Sequence, residues 1–383
     1  MRQVKFLVIV LLSFTFSCRK SNSYSASKEE AQIVINIDSV QLVSLKIGET
    51  RYVPLETSDD CLIGNVDKVL IKNEKIYISD FNKAMALFVF DLNGKYILKI
   101  SKRGQGPGEY ISFRDFDVNS KGDIFMFDVF GQKVLIFNFE GKSLGEFTFK
   151  YNFESFFVAE DRIYLSSLWG VDGEKISDLS VYDISSGKTT HLFDDAKFLY
   201  YIPLKNSSYN FYHSPSNVYY SPKFSEIIYS INRDSVIPVI GIKNLPLPPD
   251  DIIKNWIKEN NFDKRIELIK NNNYFLENVF IYETQDYISF DYKKGTITEK
   301  ILLINKRTKT THALLRSAYF MELGCSKIMG STGKEFFSAF FIDSKNQFHK
   351  QILDSREELK NWQEEDNPIL VFFNLEMDSP LPF

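Results

Sequence analysis

Two stretches of this chain are near-copies of each other, and that self-similarity constrains the fold more than any other feature. Ile76-Tyr-Ile-Ser-Asp80 returns 48 positions later as Ile124-Phe-Met-Phe-Asp128. Phe88-Val-Phe-Asp-Leu-Asn-Gly94 returns as Leu135-Ile-Phe-Asn-Phe-Glu-Gly141, with the two glycines 47 positions apart. A weaker third copy runs through Arg162-Ile-Tyr-Leu-Ser166 and Val181-Tyr-Asp-Ile-Ser-Ser-Gly187, with an insertion around Gly170 to Lys175. Short apolar runs separated by turn residues at this spacing indicate antiparallel strands joined by tight hairpins. A unit of this size cannot bury its apolar faces alone, so three or four strands per unit, repeated, describe the blade of a β-propeller.

The fullest unit carries the loop Gly104-Gln-Gly-Pro-Gly-Glu-Tyr110, then GDIFMFD at 122–128 and KVLIFNFEGK at 133–142. This string resembles the NHL-type blade pattern. Tyr52-Val-Pro-Leu-Glu56, Ile63-Gly-Asn-Val-Asp-Lys68 and Asp366-Asn-Pro-Ile-Leu-Val371 extend the likeness. Together they resemble the six-bladed β-propeller lipoproteins of Bacteroidota, across roughly residues 33–378. The resemblance implies an all-β fold of six four-stranded antiparallel blades, and it is specific for fold rather than for activity.

The amino terminus reads as a targeting signal. Arg2 and Lys5 precede an apolar run from Phe6 to Phe16 that is too short to span a bilayer. Cys18 falls where that run stops, so residues 1–18 resemble a lipoprotein signal peptide with Cys18 as the lipidated residue. Residues 19–32 are polar and serve as a flexible tether. The expected location is the outer membrane, on its periplasmic face or the cell surface, with the lipid anchor as the membrane contact.

Composition agrees with one large β domain. Aromatics make up 15% of the chain, with 35 Phe and 20 Tyr, which suits packing between twisted sheets. A net charge of −4 argues against a nucleic-acid partner, which needs a basic field. The blades follow one another until Pro246, Pro248 and Pro249 stop the sheet. Asp250 and Asp251 then read as an amino-terminal cap, with Ile252, Ile253, Trp256 and Ile257 at helical spacing. A helical insertion is therefore expected at about 246–273, between blades four and five, with Phe262, Ile266 and Ile269 on a second apolar face. Ser355 and Glu358 have capping-box spacing and predict a second, short helix through about Gln363.

Little in the chain points to catalysis. The four histidines, His191, His213, His312 and His349, fall in different blades with no ligand spacing, so neither a metal nor another cofactor is expected. Gly104 to Gly108 lacks the lysine and following helix of a phosphate loop and reads as a turn between blades. Asp80 and Asp128 share one repeat position, where Asp commonly bonds the amides of a turn. Residues that break the repeat are better binding candidates: Trp169 in the blade-three insertion, and the cluster Tyr200, Tyr201, Tyr209, Tyr212 and His213. Aromatic faces beside polar groups stack sugars or peptides.

These features favour a lipid-anchored binding or scaffold module for a glycan, peptide or protein over an enzyme. The alternative, a lyase or lactonase with a metal on the propeller axis, requires three or more acidic or His side chains to converge there. Ring closure makes one further demand. Ile369 to Leu375 should pair with Arg51 to Leu55 in blade six, because a propeller needs its ends joined. That pairing would bring Cys61 towards Cys325, where a disulfide can persist in an oxidising compartment.

Overall fold

The computed structural model describes residues 26–43, 45–169, 175–193, 210–232, 235–259, 261, 263–264, 267–268, 274–294, 297–314 and 322–377. Their strands form six sheets arranged as the blades of a six-bladed β-propeller. The first strand of each blade lies nearest the axis, and these inner strands meet one another around it. In order they are Lys68–Lys72, Phe113–Val118, Ser155–Ala159, Phe211–His213, Phe275–Glu283 and Gly330–Ser331. The alternation within strands explains how the blades stack. In Lys75–Asp80, Ile76 and Ile78 face blade six, while Tyr77 between them faces blade two. Six apolar clusters result, one at each interface between neighbouring blades.

The ring closes as the sequence demands. Leu45–Pro54 is the outermost strand of blade six and pairs antiparallel with Ile369–Met377, placing Tyr52 opposite Val371 and Val53 opposite Leu370. The amino-terminal segment does more than close that blade. Ile33–Asn36 adds a fifth, parallel strand to blade four, with Ile33 opposite Ile240. Gln41–Leu42 adds a fifth to blade five, opposite His312 and Ala313. Ile33, Ile35 and Ile37 are buried there in the interface between blades four and five. One segment thus spans the outer edges of three consecutive blades and covers backbone groups that would otherwise invite another chain.

The insertion after blade four contains helix α1, Asp250–Lys258. Pro249, not an aspartate, occupies its N-cap; Asp250 and Asp251 lie in the first turn, where their charge favours the helix dipole. Trp256 is only 2% exposed and packs between Phe224 and Tyr274, while Lys254 and Lys258 face solvent. Phe262, Ile266 and Ile269 lie outside the described residues. The second helix ends at Ser355 rather than starting there. Helix α2, Gln347–Ser355, is capped by Asn346, whose side chain accepts from the Phe348 amide, and only a single 3₁₀ turn, Glu357–Leu359, comes after.

Both described cysteines are free, so the bridge does not form. Cys61 is buried between blades six and one, where its thiol donates to the Glu56 carbonyl at 3.1 Å. Cys325 belongs instead to the cluster between blades five and six, and burial pushes its thiol up to about 12. Closure brings the strands together but leaves the two sulfurs in different interfaces.

Candidate functional site

A cavity of about 490 Å³ lies on the axis. Aromatic side chains from four blades line it: Phe157, Phe211, Tyr212, Phe280, Tyr282 and Phe337. The loop 214–217 of blade four reaches it, with Pro215 and Ser216 exposed, and Lys68, Lys72, Asn217, Asn232 and Lys327 supply polar groups.

Its position follows from an edge problem. The axial edge of each inner strand has amides and carbonyls that no fifth strand can pair, and buried backbone groups left unpaired are costly. Where blades one, two and three meet, side chains from the preceding blade solve it. Lys68 of blade one donates to the Phe116 carbonyl of blade two at 2.7 Å, and Lys72 donates to the Val118 carbonyl. Asp115 of blade two accepts from the Phe156 amide of blade three at 3.1 Å, and Asp117 accepts from the Val158 amide at 2.6 Å. Lysines and aspartates two or four residues apart on one strand face therefore match backbone groups two residues apart on the next.

The lacing leaves charges buried. Lys68 and Asp115 form an ion pair of 2.7 Å, both largely shielded from water. Burial pushes the Asp115 carboxyl above its usual range, against the pull of Lys68 and two amides. Burial works in the same direction on Asp117, but His213, Lys72 and Lys68 together outweigh it and hold that carboxyl low. His213 faces Asp117 across the axis, with Nε2 3.4 Å from Oδ1. The contact is electrostatic rather than a hydrogen bond, since Nε2 is buried without a hydrogen-bond partner. Burial, aided by Lys68 and Lys72 and opposed by Asp117, brings the imidazole down to about 4. At neutral pH this ring is uncharged.

On the opposite side of the axis, Glu283 joins three blades. Its carboxylate accepts from Asn217 at 2.6 Å and Tyr219 at 2.9 Å in blade four, and from Lys306 at 3.1 Å in blade five. Its amide donates to Ser214, and its carbonyl accepts from Ser331 of blade six. Burial and the adjacent Glu283 push the Tyr219 hydroxyl far up, so it stays a donor.

Of the residues singled out in the sequence, Tyr212 and His213 lie on the inner strand of blade four and line the cavity. Tyr212 meets Tyr282 edge-on at 5.9 Å. Trp169 ends the strand Arg162–Trp169, opposite Lys175, but its side chain lies outside the described residues. Tyr200, Tyr201, Tyr209 and Cys18 also lie outside them. Asp80 and Asp128 serve the repeat. Asp80 accepts from the Gly64 and Asn65 amides and Asp128 from those of Ile111 and Ser112, each fastening the loop that enters its own blade, and Asp80 also accepts from the Lys83 amide in the turn that follows it. The glycine loop is a turn between blades one and two: Glu109 accepts from the Gly106 amide, and a Cβ at Gly104 would lie 1.9 Å from the Glu109 carboxylate.

Lys68 enters the sequence reading only as the end of a family motif, and Lys72, Asp115, Asp117 and Phe157 do not enter it. The available signal is charge in a strand that should be buried: Asp115 and Asp117 alternate with Phe116 and Val118. Among the described residues, no three His, Cys, Asp or Glu side chains converge as metal ligands.

The family model described as a domain of unknown function, DUF4934, matches residues 32–374. The chain belongs to this family. Among solved structures it is similar to a Bacteroides fragilis protein described as exported, with 21% identity and a TM-score of 0.70. That match covers 90% of this chain and 99% of the other. A Bacteroides vulgatus member of the DUF4221 family matches at 12% identity and a TM-score of 0.55, over 89% of this chain and all of that one. At these identities the likeness concerns the propeller fold. A search of the curated proteins gives no match.

Proposed function

We propose that this family member is a lipid-anchored binding module of the cell envelope that takes its ligand in the axial cavity. The observation that carries this reading is the cavity itself. It has the size of a small-molecule site, mostly apolar walls that include six aromatic rings, and a few polar groups, of which Lys68 and Lys72 are fixed by the lacing between blades. Lys68, Lys72 and Asp67 are already bonded to backbone, which holds that part of the polar wall in place and suits recognition. An imidazole near 4 is a weak base at neutral pH, which favours binding over acid–base chemistry at His213.

The anchor rests on Cys18 and the apolar run before it. No helix among the described residues is long and apolar enough to cross a membrane. Acyl chains contribute about 0.8 kcal/mol per buried methylene, enough for two or three chains to hold the domain firmly. Cys18→Ala should move the protein from the membrane fraction to the soluble fraction; unchanged fractionation would rule out the anchor. For the cavity, a glycan and peptide screen against the native chain should give ligands whose binding is lost when Ala159→Trp or Ser216→Trp fills it. Ligands indifferent to both substitutions would place the site elsewhere.

A further inference from the structure

We infer that the axial cavity selects an uncharged ring compound with hydroxyls along one edge and a C–H face, as a sugar residue has, and that His213 accepts a hydrogen bond from one of those hydroxyls. This inference rests on the cavity being the ligand site.

Charge balance in the cavity favours an uncharged ligand. The formal charges facing the cavity are Asp67, Lys68, Lys72 and Lys327. Each lysine has a carboxylate close enough to feel it. Lys68 is paired with Asp115 at 2.7 Å, Lys72 acts on Asp117, and Lys327 acts on Asp67 together with Arg114. The Asp67 oxygens are occupied by the Phe81 amide and the Asn65 side chain, both at 2.6 Å. Lys327 lies over the Phe280 ring at 4.7 Å. A charged ligand would therefore enter a site that is already neutral and walled by six aromatic rings, where an uncompensated charge is costly.

The placement of one imidazole calls for a donor on the ligand. His213 Nε2 is enclosed and lies 3.4 Å from Oδ1 of the Asp117 carboxylate. The proton of the neutral ring sits on that nitrogen, because a carboxylate repels a second lone pair. Nδ1 then carries the lone pair; it has no hydrogen-bond partner among the described residues and, unlike Nε2, is not an enclosed atom. His213 thus offers an acceptor, which calls for a hydroxyl or N–H donor. The groups around it are Asp117, Lys68 and Lys72, and the first holds the tautomer. Phe157, whose ring meets His213 edge-on at 6.0 Å, supplies apolar surface beside it for the C–H face.

The test is titration calorimetry on the full chain at neutral pH with glucose, galactose and mannose, each beside its uronate and its 2-amino derivative. At least one neutral hexose should bind, with both charged derivatives at least tenfold weaker. His213→Phe should weaken that hexose at least tenfold, and His213→Asn, which keeps an acceptor, should restore part of the loss. Circular dichroism melting confirms that each variant is folded, and the hexose signal itself supports the inference only if Ser216→Trp removes it. A charged derivative that binds as tightly as its parent, and is blocked by Ser216→Trp, would overturn the neutral class while leaving the cavity as the site. Binding of any of the nine that ignores Ser216→Trp would overturn the cavity reading itself. Silence from all three hexoses would also overturn this inference, and the broader screen would still decide the cavity.

Discussion

The two halves of the ring are held together differently. Blades one to three are self-similar and have four strands each; lysines and aspartates stitch their axial edges. In blades four to six, among the described residues, serines rather than lysines and aspartates do this, Ser214 and Ser331 bonding the Glu283 backbone. The amino-terminal segment runs along their outer edges, and Glu283 ties all three at the axis. The lesson is that a repeat solves its edges with repeated side chains, whereas the irregular half borrows backbone from a distant part of the chain. The cavity lies where the two solutions meet. Lys68 and Lys72 come from one half, Tyr212, His213, Phe280 and Tyr282 from the other.

The largest expected effect comes from removing the borrowed backbone. Truncation to residue 56 deletes one strand from each of blades four to six and unseats the buried Ile33, Ile35 and Ile37. The loss should exceed the roughly 5–15 kcal/mol that holds a domain together, giving no folded, soluble protein by gel filtration and circular dichroism. A truncated chain that melts cooperatively would show that blades four to six stand without the segment.

Lys68→Met tests the other half. It leaves Asp115 buried without its cation, at a cost of about 3–5 kcal/mol by urea denaturation. Adding Asp115→Leu should return only part of this, because the Phe156 amide then loses its acceptor. Full recovery would mean that the ion pair, not the lacing of backbone, is what matters.

Acid should act where the halves meet. His213 titrates near 4 in the folded chain and near 6.5 when unfolded, so between those values the unfolded state binds the extra proton. Stability is complete above about 6.5 and falls with pH towards 4, by up to about 3 kcal/mol. Asp117, held low, adds a loss only below the usual carboxylate range. His213→Phe should flatten the slope between pH 6.5 and 4.5, and an unchanged slope would remove His213 as its source.

Asp80→Ala should cost about 2 kcal/mol, since the half-buried amides of Gly64 and Asn65 lose their acceptor. Phe130→Ser, at a residue 72% exposed, should stay within about 0.5 kcal/mol.

Legibility in the sequence divides along the same line. Blades one to three could be read because Ile76 to Asp80 and Ile124 to Asp128 announce the unit twice, and Asp80 and Asp128 do what a repeated residue does. Closure at Tyr52 and Val53 could be read because a ring must close. The fifth strands could not: Ile33 pairs with Ile240, and no local pattern encodes a parallel partner so distant. The site was half legible. Tyr212 and His213 stand out by breaking the repeat, whereas Asp115 and Asp117 look like ordinary strand polar residues until a neighbouring blade supplies Phe156 and Val158.

The most direct test of this account is native-state hydrogen exchange at the Phe156 and Val158 amides. Both lie on the axial edge, where no strand protects them, and their acceptors are Asp115 and Asp117. The lacing predicts protection comparable to ladder amides of the same blade, lost selectively at Val158 in Asp117→Ala. Rapid exchange of both amides in the native protein would contradict it.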